Sequence, residues 1–373
     1  MTLLLAPDSF KGTLSALEVC QLLKEELSAD FPLLLHPLAD GGEGTLAALA
    51  LCLPTADWRS LMVQGPLPGR RVTASYLWLP EGIAMVEMAQ ASGLTLVPPY
   101  LRNPEQTTSY GVGELLRAAQ EAGAREIYLA IGGSATQDGG LGMLQALGWR
   151  FLDAQDQDLP WGGGTLRDLA AILPAPAPAP LLRITVWSDV ANPLYGPEGS
   201  AFVFAPQKGA DPEMVERLDQ GLRRLAQIVR EQLGINADFP GAGAAGGLGA
   251  AAVWGLGAQL TSGFGAVAQL TSLEERIQAC QVVITGEGRF DAQSLQGKVV
   301  SGVLKLARKY QKPLIVIAGE SQFPTYPGVA GIISLVDEET SSAQALAEPQ
   351  KCLRAKAPQL RALAAKLTRQ GRK

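Results

Sequence analysis

The sequence holds one histidine and four cysteines in 373 residues. A metal site built on several imidazoles is excluded, and His36, beside Pro37, reads as a plain strand residue rather than a member of a Ser/His/Asp triad. Cys20, Cys52, Cys280 and Cys352 lie far apart with no Cys-x-x-Cys pair. That spacing argues against a disulfide framework and a zinc cage, and fits a reducing, cytoplasmic setting. Charged residues make up only 18% and sum to a net charge of -5, so no nucleic-acid partner is expected from bulk electrostatics. No charged leader precedes the apolar start Met1 to Ala6, which has the character of a short strand, so a soluble protein with no membrane partner is expected.

What is present is apolar and rich in glycine: 47% of residues are hydrophobic and 42 are glycine, in a chain long enough for two domain-sized cores. Thr2 to Ala6 predicts a buried strand. Ser15-Ala-Leu-Glu18 has the form of a capping box, and Val19, Cys20, Leu23 and Leu27 then keep one helical face. Leu33 to Leu38 predicts the next strand and Thr45 to Leu53 the next helix. The last third repeats the rhythm, with strands at 281–285, 314–318 and 331–336 and a helix at 299–310. Two early and three late parallel strands predict one five-stranded, doubly wound sheet. Between them, 72–79 and 83–88 flank a Pro-Glu-Gly turn as a hairpin, and 126–131 and 182–187 add strands among Gly- and Pro-rich loops. The predicted class is α/β, with a discontinuous doubly wound parallel sheet from 1–71 and 281–373. A second α/β domain, 72–280, is inserted, and the active site is expected in the cleft between the two. Pro174 to Pro180 predicts a stiff surface spacer, and the basic stretch from Lys351 to Lys373 a solvated helix.

Several strands end in loops that combine glycine with acids, hydroxyls or lysine, where doubly wound sheets place ligands. Ala6-Pro-Asp-Ser-Phe-Lys-Gly-Thr13 offers a carboxylate for metal, a hydroxyl and a lysine for phosphate. In Leu38-Ala-Asp-Gly-Gly-Glu-Gly-Thr45, glycines let backbone amides approach an anion at the start of a helix while Asp40 and Glu43 face a cation. Ile131-Gly-Gly-Ser-Ala-Thr-Gln-Asp-Gly-Gly140 runs from strand to helix and reads as a phosphate cradle. Ile284-Thr-Gly-Glu-Gly-Arg-Phe-Asp291, followed by Gly297-Lys298, places Glu287, Arg289 and Asp291 at another strand end. Ala292 and Val299 break the Walker A spacing there. Gly241-Ala-Gly-Ala-Ala-Gly246 matches G-x-G-x-x-G literally, but no buried strand precedes it and no acid follows until Glu274, which weakens a dinucleotide reading.

Taken in order, APDSFKGTLSA, PLADGGEGT, VEMAQASGLTLVP, RNPEQTTSYGVGELL, IGGSATQDGG, SDVANPLYG, PGAGAAGGLG and ITGEGRFDAQSLQGK resemble the bacterial type 1 glycerate kinase family over nearly the whole chain. The resemblance implies phosphoryl transfer from ATP to D-glycerate, Mg2+, and a two-domain fold with a flavodoxin-like part. Gln137 stands where that family usually has asparagine, and the segment after Gly319, Glu-Ser-Gln-Phe-Pro-Thr-Tyr-Pro, departs from its usual sequence.

Phosphoryl transfer needs alignment, cations on the phosphate oxygens, and a late proton acceptor. Lys11 is assigned to phosphate, and Asp40, Glu43, Glu287 and Asp291 are the pool of Mg2+ ligands. Asp189 is the expected base, with Asp8 its rival. Arg289 and Arg102 are candidates for the glycerate carboxylate, with Ser9 in the substrate set. Gly41, Gly42, Gly44, Gly132, Gly133, Ser134, Thr136 and Lys298 are expected around the nucleotide phosphates. The 2-hydroxyl is favoured over the 3-hydroxyl as acceptor, and self-association is left open. Two other readings stand beside this one: an NAD(P)-dependent oxidoreductase of a small hydroxy acid, and a non-catalytic sensor of sugar acids.

Overall fold

The computed structural model describes residues 2–175, 182–292, 294 and 299–370. Most of the proline spacer and Lys298 lie outside them. The strands are β1 (Leu3–Leu5), β2 (Leu33–Leu35), β3 (Asp57–Gln64), β4 (Arg71–Leu79), β5 (Ile83–Glu87), β6 (Glu126–Ala130), β7 (Arg150–Leu152), β8 (Ala171–Leu173), β9 (Arg183–Trp187), β10 (Gln259–Thr261), β11 (Val282–Phe290), β12 (Leu314–Ser321) and β13 (Gly331–Ser334). The chain divides into two compact units: Met1–Asp40, Ala47–Pro54 and Phe264–Lys373 form one, and Gly41–Leu46 with Thr55–Gly263 the other.

The first unit is the five-stranded sheet expected, all parallel, in the order β13-β12-β11-β1-β2. That is the flavodoxin-like order, with the early strands at one side of the sheet and the late strands at the other. β1 shows why such strands are short apolar runs: Leu3, Leu4 and Leu5 are all fully buried, because a parallel sheet is covered on both faces. The helix Ala16–Leu27 opens with the predicted capping box, Ser15 and Glu18 exchanging hydrogen bonds, worth about 1 kcal/mol. It lays Val19, Cys20, Leu23 and Leu27 on the core.

Two expectations are corrected here. The terminal helix Pro349–Gln370 is not simply solvated: Cys352, Leu353, Ala357, Leu360 and Ala364 are buried in the first unit's core. Alanines and a cysteine carry much of that face, which hid the stripe among basic residues. The second correction concerns Gly286 to Phe290, which continues β11 and pairs with β12 as far as Phe290↔Ser321 instead of forming a loop. A Cβ on Gly286 would sit 2.4 Å from the Ile317 carbonyl oxygen, and one on Gly319 2.5 Å from that of Gly288. Glycine here serves close strand approach rather than a turn.

The second unit is built on a six-stranded mixed sheet, β10-β9-β6-β5-β4-β3, antiparallel from β3 to β5 and parallel from β5 to β10. The predicted hairpin β4–β5 turns at Pro80–Gly82, with Glu81 and Gly82 both at positive φ. β3 lies within 1–71 yet pairs with β4 over its whole length. β7 and β8 form a separate antiparallel pair. Residues 241–273 carry no charge, but the fold breaks them into a 3-10 turn, two short helices and β10. Among the described residues no helix is long and apolar enough to cross a membrane.

Candidate functional site

In the first unit the chemistry gathers just after β1 and in the carboxyl-terminal half of β11. After β1 the chain still hydrogen-bonds to its neighbour, Ala6 N to the Ile284 carbonyl at 2.7 Å and Asp8 N to that of Gly286 at 2.8 Å. This delivers Asp8, Ser9 and Lys11 to the sheet's end, where β11 carries Glu287 and Arg289. These five residues and Asp291 line a cavity of about 340 Å³ whose far wall, Leu335, Val336, Ala345 and Pro349, is apolar.

Asp8 is buried, and its Oδ1 accepts from Ser9 N at 2.7 Å. Burial holds its carboxyl well above the usual range, the charges of Asp40 and Glu287 add to this, and Lys11 opposes them. Lys11 Nζ is 3.1 Å from Asp40 Oδ2, and that neighbour raises the lysine's pKa so that it stays cationic. Arg289 Nε is 3.4 Å from Asp291 Oδ2. Acids thus outnumber cations, and the excess repels itself into Asp8, which is the donor chemistry a hard divalent cation relieves. Among the described residues no three His, Cys, Asp or Glu side chains form a ready metal group. Mg2+ needs none, since it takes one or two carboxylates together with substrate phosphates.

The second unit holds the other glycine loops. Gly132 N donates to the Gly41 carbonyl at 2.9 Å, and a Cβ on Gly132 would lie 2.5 Å from Gly42 Cα, so the 41–44 and 132–133 loops touch backbone to backbone. Gly41, Gly44 and Gly133 have positive φ. Glu43 accepts from Thr95 Oγ1 at 3.0 Å beside them. The helix-start amides, however, are not offered to a ligand. Gly44 N and Leu46 N donate to Glu87 at 3.1 and 3.0 Å. Gly140 N and Gly142 N donate to Asp138 at 3.2 and 3.3 Å, an acid that also accepts from Ser109 N and Oγ. Burial pushes Glu87 up to about 7 and raises Asp138. These four helix-start amides are therefore taken by the protein's own carboxylates.

Asp189 is exposed and accepts from Gly263 N at 3.1 Å. Arg102 turns its Nε toward the Val97 carbonyl at 3.4 Å; it belongs to the second unit, and Arg289 to the first. The glycines of 241–246 follow no strand. Added Cβ atoms would meet the Pro193 carbonyl oxygen 2.2 Å from Gly243 and that of Thr136 2.1 Å from Gly246. They serve close backbone packing, which removes the structural basis for a dinucleotide fingerprint.

The Glycerate kinase family profile matches residues 3–365. The chain belongs to the glycerate kinase family. The Escherichia coli (strain K12) protein named Glycerate 2-kinase is 47% identical over 327 residues, 86% of this chain and 85% of that one. The Bacillus subtilis (strain 168) protein named Glycerate kinase is 42% identical over 349 residues, 90% of each chain. A solved structure of a Salmonella typhimurium LT2 protein named glycerate kinase 2 matches with a TM-score of 0.81 at 42% identity, covering 100% of both chains. The chain is accordingly a kinase.

Within this kinase, sequence reasoning missed Glu87, Asp138 as a cap, and Lys208. Glu87 had a signal: one acid inside the apolar run Ile83 to Met88 has to find buried donors. Lys208 had none, being a lysine in a polar turn, Pro-Gln-Lys-Gly, of the kind usually solvated.

Proposed function

We propose that this kinase transfers the γ-phosphoryl group of ATP to the 2-hydroxyl of D-glycerate, with Mg2+, in the cytoplasm. The observation that supports this reading most is one cavity holding a cation suited to phosphate, Lys11, a guanidinium suited to carboxylate, Arg289, and a buried acid of raised proton affinity, Asp8. The 2-hydroxyl is preferred because the Escherichia coli relative is named for it. Four buried cysteines, with Cys52 and Cys280 pushed up to about 11 by burial, suit a reducing compartment.

In this reading the glycerate hydroxyl oxygen forms a bond to the γ-phosphorus while the bond from that phosphorus to the β,γ-bridging oxygen breaks and ADP leaves. The hydroxyl proton passes to Asp8, whose surroundings favour accepting it, with Asp189 the other candidate base. Lys11 neutralises charge on the moving phosphoryl group. Arg289 grips the glycerate carboxylate as a fork, with Ser9 beside it and Arg102 the weaker candidate. Asp40, Glu287 and Asp291, all in the first unit, are the residues that would hold Mg2+, and that ion would supply charge neutralisation on the phosphate oxygens. Ser134 and Thr136 meet the nucleotide phosphates.

The test is steady-state ATP consumption with each component omitted in turn. Turnover should require both D-glycerate and a divalent cation, and Lys11→Ala should lower kcat by about a hundredfold or more with little change in glycerate KM. ATP loss independent of glycerate, or NADH oxidation with hydroxypyruvate, would overturn the reading.

A further inference from the structure

Lys208, on the 3-10 turn Pro206–Lys208, is buried. Its ammonium has three protons, and all three are directed into one loop: to Ser134 Oγ at 2.9 Å, to the Thr136 carbonyl at 2.7 Å, and to Gln137 Oε1 at 3.3 Å. No carboxylate lies within ion-pairing distance of it among the described residues. A buried cation satisfied only by loop oxygens is a costly arrangement, and it sets the backbone and two side chains of one turn at once.

The placement of the lysine is itself fixed. Gly209 follows at positive φ, and a Cβ there would sit 2.5 Å from the Arg102 carbonyl oxygen, so the turn cannot swing outward without losing that seat. Gln137 Oε1 is shared with Ser200 Oγ at 3.2 Å, and Ser200 Oγ also bonds the Gly243 carbonyl at 2.7 Å. Gln137 and Lys208 therefore form one buried knot beneath Ser134 to Thr136. An asparagine at 137 would draw its oxygen back by one methylene and loosen that knot.

Two polar groups in the same loop remain open. Among the described residues neither Thr136 Oγ1 nor Gln137 Nε2 has a hydrogen-bond partner, although both residues are fully buried. Unpaired buried donors at the loop that meets phosphate point to a ligand or to a function. The helix-start amides on either side are already taken by Glu87 and Asp138.

We propose that Lys208 is a positioning residue: it holds the Ser134–Gln137 turn, through Gln137, in the shape that receives the nucleotide phosphates. The inference rests on the reading that this loop meets the nucleotide. Its geometry is supported by the lysine's depressed pKa, about 7 through burial with Asp138 opposing, which marks a group held in place against its own solvation.

The experiment compares the full-length parent with Lys208→Met and Gln137→Asn by calorimetric titration with Mg-ATP and by kinetics with ATP and D-glycerate varied independently. Lys208→Met should weaken Mg-ATP binding and raise ATP KM by about tenfold or more, with glycerate KM moving less than about threefold. Gln137→Asn, which keeps the charge and the volume nearly intact, should shift the same quantities by a smaller factor and serves if Lys208→Met does not fold. A merely structural strut would lower melting temperature and kcat while leaving both KM values alone, and that result would overturn the proposal. So would a parent that binds no nucleotide, or variants that bind it as the parent does. A parent that binds Mg-ATP but leaves D-glycerate untouched would count against the glycerate reading instead, and the titration would still decide Lys208.

Discussion

At the scale of single residues, burial decides more of the chemistry than sequence position does. The lone histidine shows this with a sign that can be checked. His36 is fully buried, and its Nε2 meets Thr271 Oγ1 at 2.9 Å. That hydroxyl donates onward to the Val267 carbonyl, so Nε2 carries the proton and Nδ1 faces the Cys52 thiol as an acceptor. Burial, with Arg276 adding, lowers its pKa from 6.5 to about 4. Between those values the unfolded chain binds more protons than the folded one. Stability from this group is therefore complete above pH 6.5 and falls by about 3 kcal/mol as pH drops to 4. Urea midpoints from pH 7.5 to 4 should fall steeply in the parent and less in His36→Gln. Equal slopes would remove His36 as the cause.

At the scale of elements, glycine carries the arrangement, and its meaning differs from place to place. In 286–290 and at Gly319 it lets two strands approach, whereas at Gly132 it lets two loops touch. Gly132→Ala would drive its Cβ into Gly42 Cα, a backbone atom, so the 41–44 loop must move. We expect about 1–3 kcal/mol of lost stability and at least about a tenfold loss of kcat/KM for ATP. Gly257→Ala, at positive φ with nothing within 4 Å, should cost about 1 kcal/mol and leave KM unchanged. Thermal melts and kinetics on the pair separate packing from backbone strain, and equal behaviour would deny loop contact a role. The central strands were legible because parallel strands buried on both faces read as unbroken apolar runs. β3 was not, since Trp58 and Met62 are exposed and only Val63 is fully buried among its apolar residues. Gly286 to Phe290 looked like a loop because sequence cannot distinguish glycine that bends from glycine that packs.

At the scale of the whole molecule, the sequence carried the five parallel strands of the first unit and the presence of Asp8, Lys11, Asp40, Glu287 and Arg289 toward their ends. It could not carry the partners that lie far along the chain: Glu87 and Asp138 taking helix-start amides, or Lys208 bonding to the 134–137 loop. Those contacts exist only once the fold brings distant segments together. The central claim, phosphoryl transfer from ATP to the 2-hydroxyl of D-glycerate, is tested most directly by phosphorus NMR of the parent protein with ATP, Mg2+ and D-glycerate. Loss of the γ-phosphate signal should be matched by a phosphomonoester signal coupled to the single proton on carbon 2. A signal coupled to the two protons on carbon 3, or inorganic phosphate alone, would contradict it.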